Sequence, residues 1–180
     1  VRFEMHPINP QIRLMKQVVE ILRKGGIIVF PTDAGYSVGC FVTQQKKPLQ
    51  RLYQLKREDK KYQMTLMVHD FTNLTEVAEI ENPAYRYMKS HLPGPYTFIL
   101  PAQKKIWRIL DVKRPEVGIR MPEHVFFRTL GDLDRTPLLC TTARLSDEEI
   151  LVNPEDIEKQ MGKLVDLIVD MGPIPLKPTT

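Results

Sequence analysis

Apolar residues recur in two alternating patterns along this chain. Over residues 10–24 they lie three and four positions apart, which is typical of an amphipathic helix, and Gly25-Gly26 follows as a stop signal. Residues 27–30, Ile-Ile-Val-Phe, instead form a short continuous apolar run, which predicts a strand covered on both faces. Residues 31–40 then contain Pro, Thr, Asp and Gly, which predicts a loop shaped to hold a ligand.

The same alternation continues to the end of the chain. Helical spacing predicts further helices over residues 47–57, 71–80, 82–92, 122–132 and 153–162, the second of them capped by Asp70. Short apolar runs predict further strands over residues 65–68, 96–100, 117–121, 138–142 and 164–169. The strands at 96–100 and 117–121 follow turn residues directly, which favours an antiparallel pair. The predicted fold class is therefore α/β, a single domain with a mixed parallel and antiparallel sheet and flanking helices.

Composition is typical of a soluble globular protein. Of the 180 residues, 42% are hydrophobic and 27% are charged, which is enough for a sizeable core. The sequence shows neither an apolar run of membrane-spanning length nor a signal-peptide pattern, so we expect a cytoplasmic protein without a membrane partner. Cys40 and Cys140 are expected to be reduced thiols, and the four histidines lack metal-ligand spacing, which predicts no structural metal.

Positive charge is concentrated in two stretches of the sequence. The formal net charge is +4 and the sequence pI is near 9.0, which permits a polyanionic partner without requiring one. The first stretch contains Lys46, Lys47, Arg51, Lys56, Arg57, Lys60 and Lys61. The second stretch contains Lys104, Lys105, Arg108, Lys113, Arg114 and Arg120. Such runs are usually solvated helix faces, and RNA phosphates are the partner that they permit.

Common nucleotide-binding and hydrolase motifs are missing from the sequence. It contains no G-x-x-x-x-G-K-[ST], no G-x-G-x-x-G after a strand and no G-x-S-x-G. Instead, predicted strands end in polar or basic residues, among them Thr32, His69, Arg120 and Arg144. Because ligands of open α/β sheets bind outside strand ends, these residues predict one pocket that suits an anion. Structural roles stay open as well: Thr32 as a turn residue, and Arg120 as an ion-pair partner.

Several sequence segments together resemble a known family. They are GGIIVFPTDAGYSVGC, LYQLKR, TLMVH, LPGPYTFIL, VGIRMPEH, PLLCTTARLS and PTT, in this order. In this combination the chain resembles the YrdC/YciO family of threonylcarbamoyl-AMP synthase-like proteins, and it is closer to the YciO branch. The resemblance implies a YrdC-like domain over residues 7–180, with a C-terminal end shorter than in the family. It also implies a twisted mixed sheet with a concave, basic face.

The resemblance further implies a reaction. Synthases of this family join L-threonine, bicarbonate and ATP into threonylcarbamoyl-adenylate and release pyrophosphate, and the carbamoyl product is passed to an adenosine of tRNA. ATP would enter with Mg²⁺ as a substrate complex. Such an enzyme acts by positioning and electrostatics and needs no covalent nucleophile, so no catalytic side chain is assigned.

Candidate site residues follow from the resemblance, position by position. The residues that match the threonine site are Thr32, His69, Arg120, Cys140 and Thr179. The residues at or beside nucleotide and phosphate positions are Lys56, Arg57, Thr142 and Arg144. Four residues depart from the family pattern: Ala34 replaces a hydroxyl residue, Glu58 a basic residue, Glu116 a threonine, and Arg144 an asparagine.

These departures leave other functions open. The main alternative is a non-synthase protein of the same fold that binds nucleotides, double-stranded RNA or tRNA, with RNA contacts from Lys56, Arg57, Lys60 and Lys61. A third possibility is a related hydrolase or transferase that acts on carbamoylated adenosine in RNA.

Overall fold

An eight-stranded mixed sheet organises the computed structural model of the chain, which describes residues 1–56, 64–111, 115–145 and 149–180. Its strands are β1 (Arg2–Glu4), β2 (Ile28–Thr32), β3 (Gly35–Phe41), β4 (Thr65–Met67), β5 (Gly94–Pro101), β6 (Glu116–Met121), β7 (Leu138–Thr142) and β8 (Leu167–Asp170). The helices in these ranges are α1 (Ile12–Arg23), α2 (Lys46–Lys56), α3 (Phe71–Val77), α4 (Asn82–Lys89), α5 (Lys104–Leu110), α6 (Val125–Leu133) and α7 (Pro154–Met161). None of these helices combines the length and apolar composition needed to cross a membrane.

The strands follow the spatial order β1-β8-β2-β3-β7-β4-β6-β5. Parallel neighbours, such as β4 and β6, occur beside antiparallel ones, such as β3 and β7. The predicted single-domain α/β fold with a mixed sheet is therefore confirmed. β5 and β6 also form the antiparallel pair predicted from their turn residues, with Phe98 opposite Ile119.

The sheet is buried on both faces because successive strand residues point to opposite sides. In β2, Phe30 belongs to the apolar layer formed with Val18 of α1 and Phe126 of α6. The adjacent Val29 belongs to the layer on the other face, with Leu52 of α2. Both strand residues are fully buried, as the continuous apolar run predicted. Burial of each such side chain contributes about 1.5–3 kcal/mol.

Residues 31–40 form part of a tight β-hairpin and not the predicted loop, whereas the ligand-holding role stays a prediction. β2 continues to Thr32 and β3 begins at Gly35, so only Asp33 and Ala34 lie between the strands. Gly35 has a φ of 132°, a conformation that other residues rarely adopt. The polar and small residues of this segment therefore form the turn between β2 and β3.

Besides β3, two elements were not predicted from the sequence. α5 lies in the polar segment between β5 and β6, and its buried apolar residues, Ile106 and Leu110, are too few to show a period. β1 pairs in parallel with β8 at the edge of the sheet, and its three residues are too short to give a strand pattern.

Candidate functional site

A cavity of about 520 Å³ lies where the β2–β3 hairpin meets residues of β4, β6 and β7. Its wall includes five residues predicted from the sequence: Thr32, Arg120, Cys140, Thr142 and Thr179. The strands that carry most of them are brought together because β3, β7, β4 and β6 are consecutive neighbours in the sheet. The volume falls in the range of roughly 300–1,000 Å³ that is usual for small-molecule sites.

Three hydroxyl-bearing residues that the sequence analysis did not select line the same cavity. They are Ser37 of β3, Thr65 of β4 and Thr97 of β5. Threonine is common in strands, so no local pattern distinguishes these residues. Because a hydroxyl both donates and accepts hydrogen bonds, this wall suits a ligand with several polar atoms.

Arg120 forms a buried ion pair with Asp33 at the edge of the cavity. Its Nη2 donates to Oδ1 of Asp33 at 2.6 Å, and Oδ2 of Asp33 accepts the backbone N–H of Glu123 at 3.0 Å. The side chains of Arg120 and Asp33 are 8% and 12% exposed. Nε of Arg120 is buried and has no hydrogen-bond partner among the described residues. The ion-pair role left open by the sequence is thus observed, and the guanidinium retains capacity for an anion.

Thr32 closes the hairpin through its side chain. The hydroxyl donates to the carbonyl of Gly35 at 2.7 Å and accepts the N–H of Ala34 at 3.1 Å. The residue is fully buried while it lines the cavity. The turn role is therefore observed, and the threonine-binding role stays a prediction.

Lys56, at the end of α2, is buried with 1% exposure. Its Nζ donates to the carbonyl of Thr142 at 3.3 Å and to the carbonyl of Arg144 at 2.7 Å. Lys56 does not line the cavity. It does bond to the end of β7, where Thr142 lines the cavity. The ammonium of Lys56 is thus bonded to the backbone of Thr142, whose phosphate-binding role stays a prediction.

His69 packs beneath α6 and does not line the cavity. Its ring stacks on Phe127 with centroids 4.4 Å apart, and its Nε2 lies 3.2 Å from the carbonyl of Thr136. A Cβ at Gly131 would lie 2.7 Å from Nδ1, so the glycine makes room for the ring. Burial lowers the pKa of His69, which favours the neutral imidazole. The structure does not bring this residue together with the other predicted threonine-site residues.

Cys140 is a protonated thiol in the floor of the cavity. It is fully buried, and its Sγ donates to the carbonyl of Thr65 at 3.4 Å. Burial raises the pKa of Cys140 to about 12, with a smaller opposing effect from Arg120. Since the thiolate is the reactive form, this thiol is inert at neutral pH.

The C-terminal segment, residues 171–180, crosses the cavity and contributes Thr179 to its wall. The hydroxyl of Tyr36 donates to the carbonyl of Gly172 at 2.7 Å and accepts the N–H of Met171 at 3.1 Å. Further along, the N–H of Lys177 donates to the carbonyl of Ala34 at 3.2 Å. The segment therefore attaches to the hairpin and covers part of the cavity.

Of the remaining predicted residues, some line the cavity and others do not. Ala34 lines the cavity, where the resemblance predicted a hydroxyl. Glu116 is exposed at the start of β6, and neither it nor the half-buried Arg144 lines the cavity. Within the described ranges, no group of three or more His, Cys, Asp or Glu side chains is placed to hold a metal ion. The predictions for Arg57, Glu58, Lys60 and Lys61 fall outside the described residues.

Comparison with known proteins relates this chain to YciO. The family model Sua5_yciO_yrdC, with the description Telomere recombination, matches residues 20–180. YciO of Escherichia coli strain K12 is 39% identical over 180 residues, covering 99% of this chain and 87% of that protein. The crystal structure of E. coli YciO has a TM-score of 0.91 and covers 100% of this chain and 88% of its own.

More distant relatives include an enzyme. Threonylcarbamoyl-AMP synthase of Bos taurus is 28% identical over 160 residues, covering 89% of this chain and 57% of that protein. The crystal structure of P. abyssi Sua5 in complex with L-threonine has a TM-score of 0.88 at 21% identity, covers 96% of this chain and 51% of its own, and shares the fold. Because the family model and the YciO match extend over most of its length, the chain belongs to the Sua5/YciO/YrdC family.

Proposed function

We propose that this protein is a threonylcarbamoyl-AMP synthase-like enzyme, which forms threonylcarbamoyl-adenylate from L-threonine, bicarbonate and ATP for tRNA modification. The observation that carries the proposal is the convergence of Thr32, Arg120, Cys140, Thr142 and Thr179 on one cavity. Membership of the family and the synthase name of its more distant relatives support the same reaction.

Arg120 recognises the carboxylate of threonine in this proposal. A guanidinium has five N–H donors in a planar fork, and Asp33 accepts from Nη2. Because Arg120 lines the cavity, a substrate carboxylate there can accept from a guanidinium N–H that Asp33 does not occupy. The hydroxyls of Thr65 and Thr97 on the same wall can bond the polar atoms of the substrate.

The reaction requires a carbamate that is protected from water. The amino nitrogen of threonine attacks the carbon of bicarbonate and water leaves; a carbamate oxygen then attacks the α-phosphorus of ATP, and pyrophosphate leaves. The C-terminal segment reduces access of water to the cavity, which protects the carbamate. Cys140 stays protonated, so it supplies no competing nucleophile.

The phosphates of the Mg²⁺–ATP substrate complex are assigned to the end of β7. Thr142 presents a hydroxyl to the cavity there, and the ammonium of Lys56 lies behind it, bonded to the backbone carbonyl of Thr142. A fixed positive charge at this position stabilises negative charge on the phosphates without reorganisation.

The test measures pyrophosphate released from Mg²⁺–ATP in the presence of L-threonine and bicarbonate. Arg120→Ala is expected to lower the rate at low threonine by about tenfold or more, because a hydrogen bond to a charged group contributes about 1.5–3 kcal/mol. Arg128→Ala, which removes an exposed arginine from α6, is the matched control and should leave the rate unchanged. Release that does not require threonine, or that is equal in the folded Arg120→Ala protein, contradicts the proposal.

A second candidate is a nucleotide- or RNA-binding protein of the same fold without synthase activity. The Arg120–Asp33 pair favours it, because Asp33 already neutralises the guanidinium that threonine would need. Lys56 is too buried to contact RNA at the surface, so RNA contacts are assigned to Arg57, Lys60 and Lys61.

The RNA candidate has its own test. Retardation of tRNA or double-stranded RNA in a gel should weaken when Arg57, Lys60 and Lys61 are replaced by alanine, and it should fall steeply with salt. Retardation that does not depend on these residues contradicts this candidate, whatever the result of the pyrophosphate assay.

A further inference from the structure

A second cavity, of about 290 Å³, lies between the start of α2 and the outer face of α5. It is lined by Gln44, Lys46, Lys105, Arg108 and Ile109, and it shares no residue with the larger cavity. Lys46 belongs to the first basic stretch of the sequence, whereas Lys105 and Arg108 belong to the second. The fold therefore brings two separate basic stretches together at one concave place.

Among the described residues, the three cations of this cavity have no counter-charge. Lys46, Lys105 and Arg108 have no ion pair and no side-chain hydrogen bond in the part of the chain that the structure describes. Arg51, one turn further along α2, shows the contrast, because it pairs with Asp166 at 2.9 Å. Three like charges around a cavity repel one another, and a bound anion removes that repulsion.

The start of α2 adds to the positive potential. The helix has 11 residues, begins at Lys46 and has no acidic residue in its first turn, where Lys47 follows. Helix N-termini carry partial positive charge and favour anions, so lysines at this position oppose helix stability. Local features that oppose stability are expected at functional sites, where a ligand compensates for them.

We propose that this cavity is a second anion site, which binds phosphate groups. Lysine and arginine donors and the amide of Gln44 form a donor set that matches phosphate oxygens. The volume of this cavity admits a diphosphate. Two neighbouring phosphates of an RNA backbone would present equivalent oxygens at the mouth of the cavity. The site does not depend on the proposed synthase reaction, because it uses none of that cavity's residues.

Titration calorimetry with inorganic pyrophosphate tests the site. Lys105→Ala/Arg108→Ala should weaken binding by about tenfold or more, since two charge-assisted contacts are removed. Lys16→Ala/Lys24→Ala is the matched control, because it removes the same charge from exposed positions on or beside α1. This control should leave the affinity for pyrophosphate unchanged. Gln44→Ala/Lys46→Ala, on the opposite wall of the cavity, should weaken the affinity as Lys105→Ala/Arg108→Ala does.

One further variant and a local fluorescence signal show where pyrophosphate binds. Thr142→Ala protein should keep this binding, because Thr142 belongs to the phosphate position of the proposed reaction and not to the second site. The tryptophan count of the chain is one, and Trp107 lies beside Arg108, so its fluorescence gives a local readout of occupancy.

A short RNA duplex, titrated in the same way, identifies the source of the phosphate. Dependence on Lys105 and Arg108 with the duplex alone assigns the site to an RNA backbone, and dependence with pyrophosphate assigns it to a free polyphosphate. The proposal is overturned if neither probe binds, or if binding is equal in the cavity and control variants.

Discussion

Nη2 of Arg120 lies 2.6 Å from Oδ1 of Asp33, although the two residues are 87 positions apart in the chain. The contact joins the turn of the β2–β3 hairpin to the end of β6. Because both side chains are about nine-tenths buried, neither charge can be satisfied by bulk water alone. The pair therefore fixes one wall of the larger cavity and sets the orientation of its guanidinium.

Asp33→Ala should lower the free energy of unfolding by about 3–5 kcal/mol, because it leaves the guanidinium of Arg120 buried without its counter-charge. Urea denaturation followed by circular dichroism measures the change. Asp132→Ala, at an exposed position of α6, is the control and should have little effect. Equal losses in the two variants would show that the pair does not stabilise the fold.

Thr32→Val should destabilise the protein by about 1–3 kcal/mol. The substitution keeps the shape of the side chain but removes the hydroxyl that bonds the carbonyl of Gly35 and the N–H of Ala34. Thr32→Ser retains the hydroxyl and is expected to lie much closer to wild type in the same urea experiment. If the serine variant lost as much stability as the valine variant, retaining the hydroxyl would not preserve stability, and the role assigned to its two hydrogen bonds would be wrong.

Stability should fall as the pH decreases below about 6.5. Burial lowers the pKa of His69 and of His124 from the ordinary 6.5, so the unfolded chain binds protons at a higher pH than the native state does. Stability is therefore complete above that value and declines toward the lowered native pKa, by up to about 1.4 kcal/mol per pH unit for each histidine.

Urea unfolding at pH 7.5 and pH 5.5 measures this slope. Asp70 and Asp134 have pKa values lowered from 3.8, so both carboxylates stay ionised over this interval. His69→Gln should remove one histidine's share of the slope and leave that of His124. An unchanged slope in His69→Gln would mean that the burial of His69 does not affect its protonation.

Tyr36→Phe should loosen the C-terminal segment. It removes the hydroxyl that bonds the carbonyl of Gly172 and the N–H of Met171. Amide hydrogen exchange at Lys177 should become faster, because this amide depends on the same segment for its bond to the hairpin. Tyr87→Phe alters a tyrosine that is 59% exposed and should leave the exchange unchanged. Exchange at Lys177 that is equal in both variants would contradict the role of Tyr36 as the anchor.

Local patterns in the sequence were sufficient where the physical cause is local. The helical spacing of apolar residues predicted α1, and a continuous apolar run predicted β2. Asp70 caps α3 as predicted, accepting the N–H of Asn73 at 2.7 Å. The segments that resemble the family placed Thr32, Arg120, Cys140, Thr142 and Thr179, which do meet at one cavity. The elements and the cap depend on a few adjacent residues, and the five positions follow from motifs, so the sequence alone identified them.

The tertiary structure decided which side chains share a surface, because strand order and helix packing set distances that no local pattern contains. It placed His69 beneath α6 instead of at the cavity, and it buried Lys56 against backbone carbonyls. It also brought Lys46 beside Lys105, from the two basic stretches that looked like separate solvated faces. The sequence by itself thus determined most of the elements and five residues of the larger cavity, whereas packing decided which partners the charged side chains have and how deeply they are buried.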